Sequence, residues 1–410
     1  MALPRFRTAI KVTPVEREGK QLFVASDPYE GVFDHQVALP PIAFVVASFL
    51  DGERDAASVR SGILEQFPDA GVQEEDVRKV VEDLDQHYLL ESERLAARRR
   101  DVEGEWNSLA ARAAKFVDGS PEEVGKELKG YYSAEAGAGE PVLPSAAAPL
   151  SGILAPHIDF RRGGTCYTYA YRELAERSDA EVYVILGVAH ASPPNPFVVT
   201  SKAYETAFGP TNPDRELIGS LEKRFGARIF ENEILHRSEH SAEFQAVFLK
   251  HARPGADFTV LPILCSSFEI HCGTASPSTA PRIQEFLGAL GEALRGRKAC
   301  IVAGVDFAHV GPVFGDDVEV DQKLVEWMMA GDTRGLQECA EVNPEGFWNS
   351  VMADGNRRHV CGLSATYAAL RLLDGAQGKV HKYGFAPDPG GGLVSFASMS
   401  FGPAPAMARP

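Results

Sequence analysis

The sequence predicts an α/β protein with a central, largely parallel sheet flanked by helices, preceded by a small α+β domain. Beyond residue 150, apolar runs of strand length alternate with segments of helical periodicity, as in a parallel sheet covered on both faces. Before residue 98, short strand-like segments precede three helical ones. The length of 410 residues is too great for one ordinary core, so two domains are expected.

Residues 1–98 are predicted to form a winged-helix-like domain. Residues 21–36 mix apolar positions with turn-forming pairs, which indicates short strands. Tyr88-Leu89-Leu90 is predicted to close the domain as a strand. Apolar residues recur at helical spacing between these strands, and the predicted helices are Pro41–Leu50, Asp55–Phe67 and Glu74–His87.

Residues 99–149 are predicted to connect the two domains. A basic run at Arg98–Arg100 leads into a helical stretch that ends near residue 133. Residues 134–149 are rich in alanine, glycine and proline, which indicates a linker or a surface loop. The α/β domain is then expected to occupy residues 150–410.

The α/β domain is predicted from its alternation of strands and helices. The apolar strand-like runs are 152–155, 182–186, 197–200, 258–264 and 300–305, and Leu393–Phe401 is expected to close the sheet. The predicted helices are Thr165–Glu176, Pro213–Phe225, Ala242–His251, Pro281–Leu294, Val318–Met329 and Leu363–Leu373.

Composition limits the classes of partner. A formal net charge of -16 argues against nucleic-acid binding and against docking on an anionic membrane. The resemblances described below, and not the charge, imply a small molecule or a peptide as the partner. The N-terminus lacks the apolar core of a signal peptide, and no apolar run is long enough to span a bilayer. The six cysteines are scattered without a CxxC pair. A cytoplasmic protein with reduced thiols is expected.

Histidines and acids follow three of the predicted strands at their carboxyl ends. His157 follows the first strand, His190 the second, and Asp306 with His309 the fifth. Ligands of open α/β sheets bind at this edge, so these side chains are expected to converge. His240 opens a predicted helix and is expected to join them. Imidazole and carboxylate groups are ligands of Fe, Cu and Zn, which predicts a transition-metal site.

Neighbouring positions extend this prediction. Asp159 lies two residues after His157 and would face the same way on an extended backbone. Glu243 lies three residues after His240 and would share its helix face. Cys361 is interpreted as a buried thiol rather than a nucleophile, and His359 as a loop histidine. Four further histidines are expected to be structural or exposed: His236, His251, His271 and His381. No GxSxG, P-loop or GxGxxG motif favours a serine hydrolase or a nucleotide enzyme.

Six ordered segments resemble the Memo-like family, also called protein B of the AmmeMemoRadiSam system. They read APHIDFRRGG, ILGVAH, KAYETAFGP, SEHSAEFQ, VDFAHVG and VCG, and cover residues 155–164, 185–190, 202–210, 238–245, 305–311 and 360–362. The family is similar in fold to class III extradiol dioxygenases, which use non-haem Fe(II) to open catechol rings. The resemblance therefore implies a metal at the strand ends.

The resemblance also assigns roles residue by residue. His157 and His190 match the family's two metal-binding histidines, and His240 matches a histidine that acts as acid or base. Asp306 and His309 match its Asp-Phe-x-His segment. Animal members are expected to carry a cysteine ligand after Asp-Phe, where this sequence has Ala308. No equivalent of the dioxygenase glutamate is evident, and Leu363 replaces the frequent arginine after Cys-Gly. The third ligand stays open among Asp306, His309 and His240.

Three functional expectations follow. The first is a non-haem, metal-dependent, dioxygenase-like oxidoreductase acting on an aromatic or peptide substrate, with Fe(II) favoured over Cu or Zn. The alternative is a non-catalytic scaffold that binds metal or peptide, and a zinc hydrolase is a third reading. The segments 50–59 and 83–91 resemble PqqD-like domains, which implies that the N-terminal domain adds a peptide as an extra strand. The alternative to peptide binding is that the N-terminal domain serves as a helical cap or a dimerisation module.

Overall fold

The computed structural model describes residues 2–17, 20–27, 30–33, 35–142 and 149–403. It divides the chain into two compact units, residues 1–109 and residues 110–410. The division falls inside the predicted connector, residues 99–149, because that stretch contributes one helix to each unit. Part of the predicted linker, residues 143–148, lies outside the described residues.

The first unit is a three-stranded antiparallel sheet followed by four helices. The strands pair in the order β1-β2-β3 and span Lys11–Arg17, Lys20–Ser26 and Val37–Leu39. The helices α1 to α4 span Pro41–Ser48, Ala56–Gln66, Glu74–Gln86 and Glu93–Ser108. The three predicted helices are present, whereas the predicted strand at 88–90 is reduced to one bridge between Phe6 and Leu90.

The core of the first unit explains why its helices form. Val59 and Ile63 of α2 and Val77 and Leu84 of α3 are fully buried in one apolar cluster. Burial of such a face stabilises an amphipathic helix more than propensity does. Leu95 of α4 belongs to the same cluster, which is why this helix is part of the first unit.

The second unit carries the large sheet and its covering helices. Its strands β4 to β13 span Ala111–Arg112, Gly152–Ala155, Val182–Val188, Phe197–Val199, Ala203–Tyr204, Thr259–Cys265, Ala299–Gly304, His309–Val310, Ala376–Asp388 and Gly392–Pro403. Its helices α5 to α13 span Pro121–Ser133, Phe160–Arg177, Arg215–Phe225, Ser241–Ala252, Glu269–Cys272, Pro281–Leu294, Gln322–Ala340, Pro344–Met352 and Leu363–Leu372.

The central sheet is mixed, which corrects the expectation of a largely parallel sheet. Its strand order is β11-β13-β5-β10-β6-β9-β7, with β12 beside β13. The four inner strands β5, β10, β6 and β9 are parallel, but β7, β11, β12 and β13 pair in antiparallel fashion. The difference arises because β12 and β13 form a long hairpin, and β12 is too exposed to show an apolar run.

Helices cover both faces of this sheet. Along β6, Val184 and Leu186 face one core, while Tyr183 and Ile185 face the other, as the two-residue period of a strand requires. The first core also contains side chains of α10 and α13, and the second contains side chains of α6 and α8. The inner strands are therefore buried on both faces. Among the described residues, no helix is both long and apolar enough to cross a membrane.

The parallel strands bring their carboxyl ends to one edge. His157 lies two residues after the last residue of β5, His190 two after β6, and Asp306 two after β10. Because β10 lies between β5 and β6, these positions are neighbours on the same edge. The fold thus places the predicted candidates around one point.

Candidate metal centre

Three histidines converge at this edge: His157, His190 and His240. Each offers one ring nitrogen, and these nitrogens all lie within 4.8 Å of one another. The centroids of the three rings are 5.1 to 5.3 Å apart. His240 reaches the group as the residue that precedes helix α8, rather than from a strand end. Three imidazoles at this spacing can share one transition metal ion.

Backbone contacts fix the ring of His157. Its Nδ1 lies 2.9 Å from the carbonyl oxygen of Gly304 at the end of β10. A carbonyl only accepts, so Nδ1 carries a proton, and Nε2 is the nitrogen that lies beside Cys361 and could bind an ion once its own proton is displaced. The amide of His157 donates to the Asp306 carboxylate over 3.0 Å. The ring is therefore held with Nε2 as its ligand atom.

One buried carboxylate, Glu239, holds the other two rings. Its oxygens lie 2.9 Å from Nδ1 of His190 and 3.2 Å from Nδ1 of His240. It also accepts the backbone amides of His240 and Ser241. Burial alone would raise the pKa of Glu239, but His190, His240 and the amide of Ser241 together outweigh burial and hold that pKa well below its usual range. A carboxylate that accepts a hydrogen bond from Nδ1 leaves Nε2 available to a metal ion. Metal-binding histidines usually have such a hydrogen-bond partner on their other ring nitrogen.

Cys361 is a site residue that the sequence interpretation missed. Its sulfur lies 3.3 Å from Nε2 of His157 and also bonds with His190. Burial would raise the pKa of this thiol, but His157, His309 and His190 together outweigh burial, so the pKa lies well below its usual range. The thiolate, a soft metal ligand, is thus the favoured form. The sequence feature that points to Cys361 is the Val-Cys-Gly segment at residues 360–362, one of the six segments that resemble the Memo-like family.

Ala308 does not mark a lost ligand. It is fully buried in a separate apolar cluster with Val310 and Met328, and its amide bonds to Ser395. The cysteine that lies beside the histidines is Cys361, which comes from another segment of the chain.

The other acidic and histidine candidates are placed differently. Asp306 borders the site, with one carboxylate oxygen 3.6 Å from Nε2 of His157, and burial raises its pKa. His309 lies outside the three-histidine group. Its Nδ1 lies 3.2 Å from the carbonyl oxygen of Phe307, and its ring packs edge-on against Phe314.

Asp159 and Glu243 do not point to the site. Asp159 caps helix α6 by accepting the amide of Arg162, because the backbone turns into a helix directly after the strand. Glu243 is fully buried, and its carboxylate forms an ion pair with Arg112. Sequence spacing alone did not reveal the directions of these two side chains.

The histidines of the three-histidine group differ in their pKa values. Burial would lower the pKa of His157, but Asp306 and Cys361 outweigh it and raise the pKa to about 9. Burial lowers the pKa of His240 to about 3, despite the opposing charge of Glu239. The donor set thus combines neutral imidazole with groups whose protons a cation can replace, and it fits a transition metal ion.

A cavity of about 270 Å³ opens beside His190 and Cys361. Its lining includes Ser192, Asn356 and His359, each of which has a positive φ, between 46° and 57°. Backbone strain of this kind at non-glycine residues concentrates at functional sites. The cavity gives a small ligand access to the histidine group.

Comparison with known proteins gives one consistent family. A sequence-family profile described as Memo-like protein matches residues 109–399. A MEMO1 family protein of Aquifex aeolicus (strain VF5) is 27% identical over 386 residues, 92% of this chain and 96% of that protein. A MEMO1 family protein of Methanopyrus kandleri is 27% identical over 298 residues, 70% of this chain and 96% of that protein. The Aquifex alignment is long enough to extend into the first unit.

Proposed function

The chain belongs to the Memo-like family, and we propose that it binds one transition metal ion through His157, His190 and His240. The observation that carries the proposal is the convergence of three ring nitrogens within 4.8 Å. The hydrogen-bond acceptors at the three Nδ1 atoms support the proposal. The carbonyl of Gly304 and the carboxylate of Glu239 hold the Nδ1 atoms and leave each Nε2 as the atom available to an ion. The nearby sulfur of Cys361 adds a fourth donor.

We propose further that the protein is a non-haem, dioxygenase-like oxidoreductase that uses Fe(II) and acts on an aromatic or peptide substrate. Bound Fe(II) would supply the redox chemistry that side chains lack. The cavity beside His190 and Cys361 supports the proposal because it leaves room for a substrate next to the donors.

Side chains of the site have distinct tasks in this proposal. His157 and His190 hold the ion. His240 either completes the ligand set, for which its neutral form is suited because burial lowers its pKa to about 3, or moves protons during turnover. Asp306 does not need to reach the ion, since it fixes the backbone of His157. The variant His240→Ala separates the two tasks of His240, because only loss of a ligand would release metal.

Elemental analysis tests the metal site. We expect about one transition metal per chain in the wild type, and loss of it in His157→Ala and in His190→Ala. His251→Ala is the control, since His251 lies in the same unit against Tyr132 and Phe208 and should leave the metal content unchanged. A wild type without stoichiometric metal, or two site variants that keep it, would contradict the proposal.

Oxygen consumption tests the proposed chemistry. We expect substrate-dependent uptake of O₂ by the iron-loaded protein across a panel of catechols and aromatic peptides. Stoichiometric metal without uptake on any member would favour the non-catalytic scaffold. Turnover that persists without O₂ would favour a hydrolase instead.

For the first unit we propose peptide binding by strand addition. Strand β1 is an edge of the three-stranded sheet, with β2 as its partner. Edge strands offer unpaired backbone groups to an extended peptide. Hydrogen exchange of residues 11–17, measured with and without a panel of short synthetic peptides, should show protection by a binding sequence. Unchanged exchange with every peptide would contradict this role.

A further inference from the structure

The segment before α8 carries Glu239 and His240, so its position decides the shape of the histidine group. Glu239 holds Nδ1 of both His190 and His240. Its own backbone lies outside any helix or strand, between a short helical turn that ends at Arg237 and the start of α8. A segment without regular hydrogen bonding needs other contacts to keep its place.

Arg112 supplies those contacts. Its side chain is almost completely buried, and its guanidinium donates to the carbonyl oxygens of His236 and Glu239, the latter over 3.0 Å. The same group lies over the ring of Tyr204, 4.8 Å from its centroid. One planar fork therefore holds both ends of the turn that leads to the metal-site residues.

Glu243 holds the guanidinium in turn. Its carboxylate lies 2.6 Å from Nη1 of Arg112. One of its oxygens also accepts the backbone amides of Lys115, Phe116 and Val117, at 2.8 to 3.1 Å. The negative charge of this buried group is thus satisfied by the segment that begins at Arg112. The ring of Phe116, from the same segment, packs edge-on against His240.

We propose that Arg112 is a positioning residue for the metal centre, acting through the turn 236–239 on Glu239 and His240. The inference rests on the proposed metal site and names what sets its geometry. Without the guanidinium, the carbonyls of His236 and Glu239 lose their shared donor and the turn relaxes. Glu239 then no longer holds both imidazoles at ligand distance, although neither imidazole has been altered.

Metal affinity of the full chain tests this, with Co²⁺ titrated against a competing chelator. We expect Arg112→Met to weaken Co²⁺ binding about 10- to 100-fold, as is usual when an outer contact of a ligand is lost. Arg112→Lys should recover part of the affinity, because a lysine keeps the charge but not the fork. The visible spectrum of bound Co²⁺ should change in both variants, since it reports the arrangement of the ligands.

Arg297→Met is the matched control. Arg297 forms a two-pronged ion pair with Asp214 in the same unit, near the amino-terminal ends of β9 and β10 and so opposite the site. Its loss should lower the melting temperature and leave Co²⁺ affinity unchanged. A folded Arg112→Met or Arg112→Lys protein with wild-type affinity and spectrum would overturn the inference. A wild type that binds no Co²⁺ would instead overturn the proposed function itself.

Discussion

Individual side chains at the site depend on partners from distant parts of the chain. Cys361 is separated from His157 by 204 residues, yet their side chains lie 3.3 Å apart. The sulfur lies beside the histidine whose pKa it helps to raise, so thiolate and imidazolium stabilise each other when no cation is bound. A divalent metal would replace the proton between them.

Replacement of Cys361 tests whether its sulfur binds the ion. We expect Cys361→Ala to abolish the sulfur-to-metal charge-transfer absorption of Co²⁺-loaded protein and to weaken metal binding, because a soft donor is lost. Cys339→Ala is the control, since Cys339 is buried in the apolar core and should leave the absorption intact. Absence of this absorption in the wild type would show that the sulfur is not a ligand.

The start of α13 packs unusually close to the end of β10. A Cβ atom at Gly362 would lie 2.5 Å from the carbonyl oxygen of Asp306 and 2.6 Å from the Cβ of Val305. The amide of Gly362 also donates to that carbonyl over 3.1 Å. This close approach brings the preceding residue, Cys361, against the histidines. A glycine is therefore required here for packing rather than for backbone conformation.

Substitution of this glycine should separate packing from helix propensity. We expect Gly362→Ala to lower the free energy of unfolding by about 1–3 kcal/mol through overpacking, and to weaken metal binding by displacing Cys361. Gly219→Ala in α7 has open space around the added methyl group and should stabilise the protein by about 0.5–1 kcal/mol. Chemical denaturation measures both. An unchanged stability of Gly362→Ala would refute the close-packing argument.

Two separate apolar cores stabilise the second unit, one on each face of its sheet. A polar group buried inside such a unit must be paired, and a titrating group without a partner of opposite charge in contact with it is held in its neutral form. His236 is one of them, because it is fully buried and bonds to Tyr204 and to the carbonyl oxygen of Val198. Burial lowers the pKa of His236 to about 4.

Stability should therefore fall in mild acid. The unfolded chain protonates His236 below its ordinary pKa, and the folded chain does so only near pH 4, so stability is full above about pH 6.5 and lost as the pH falls from there. We expect the stability advantage of the metal-free wild type over His236→Gln to shrink by about 2 kcal/mol between pH 7.5 and pH 5. Urea unfolding at several pH values measures it. A constant difference would contradict the neutral, buried state.

The pattern of strands and helices was largely readable from the sequence, because it depends on local periodicity. The helix predicted at Pro281–Leu294 has those bounds in the structure, and the predicted Leu363–Leu373 helix ends one residue earlier. Helix α12 and strand β12 were missed. The first is short, and the second is too exposed to show an apolar run.

The sequence by itself determined that histidines follow buried strands, and parallel strands bring such ends together whatever lies between them. It therefore predicted His157 and His190 as candidates, and it added His240 from the start of a predicted helix. Only the tertiary structure decided that Cys361 and Glu239 join them, that the charge of His309 acts on Cys361 and Asp306 from outside the three-histidine group, that Glu243 pairs with Arg112, and that the sheet is mixed. The physical reason is that local sequence sets periodicity, whereas the approach of two side chains 49 or 204 residues apart depends on packing across the whole unit.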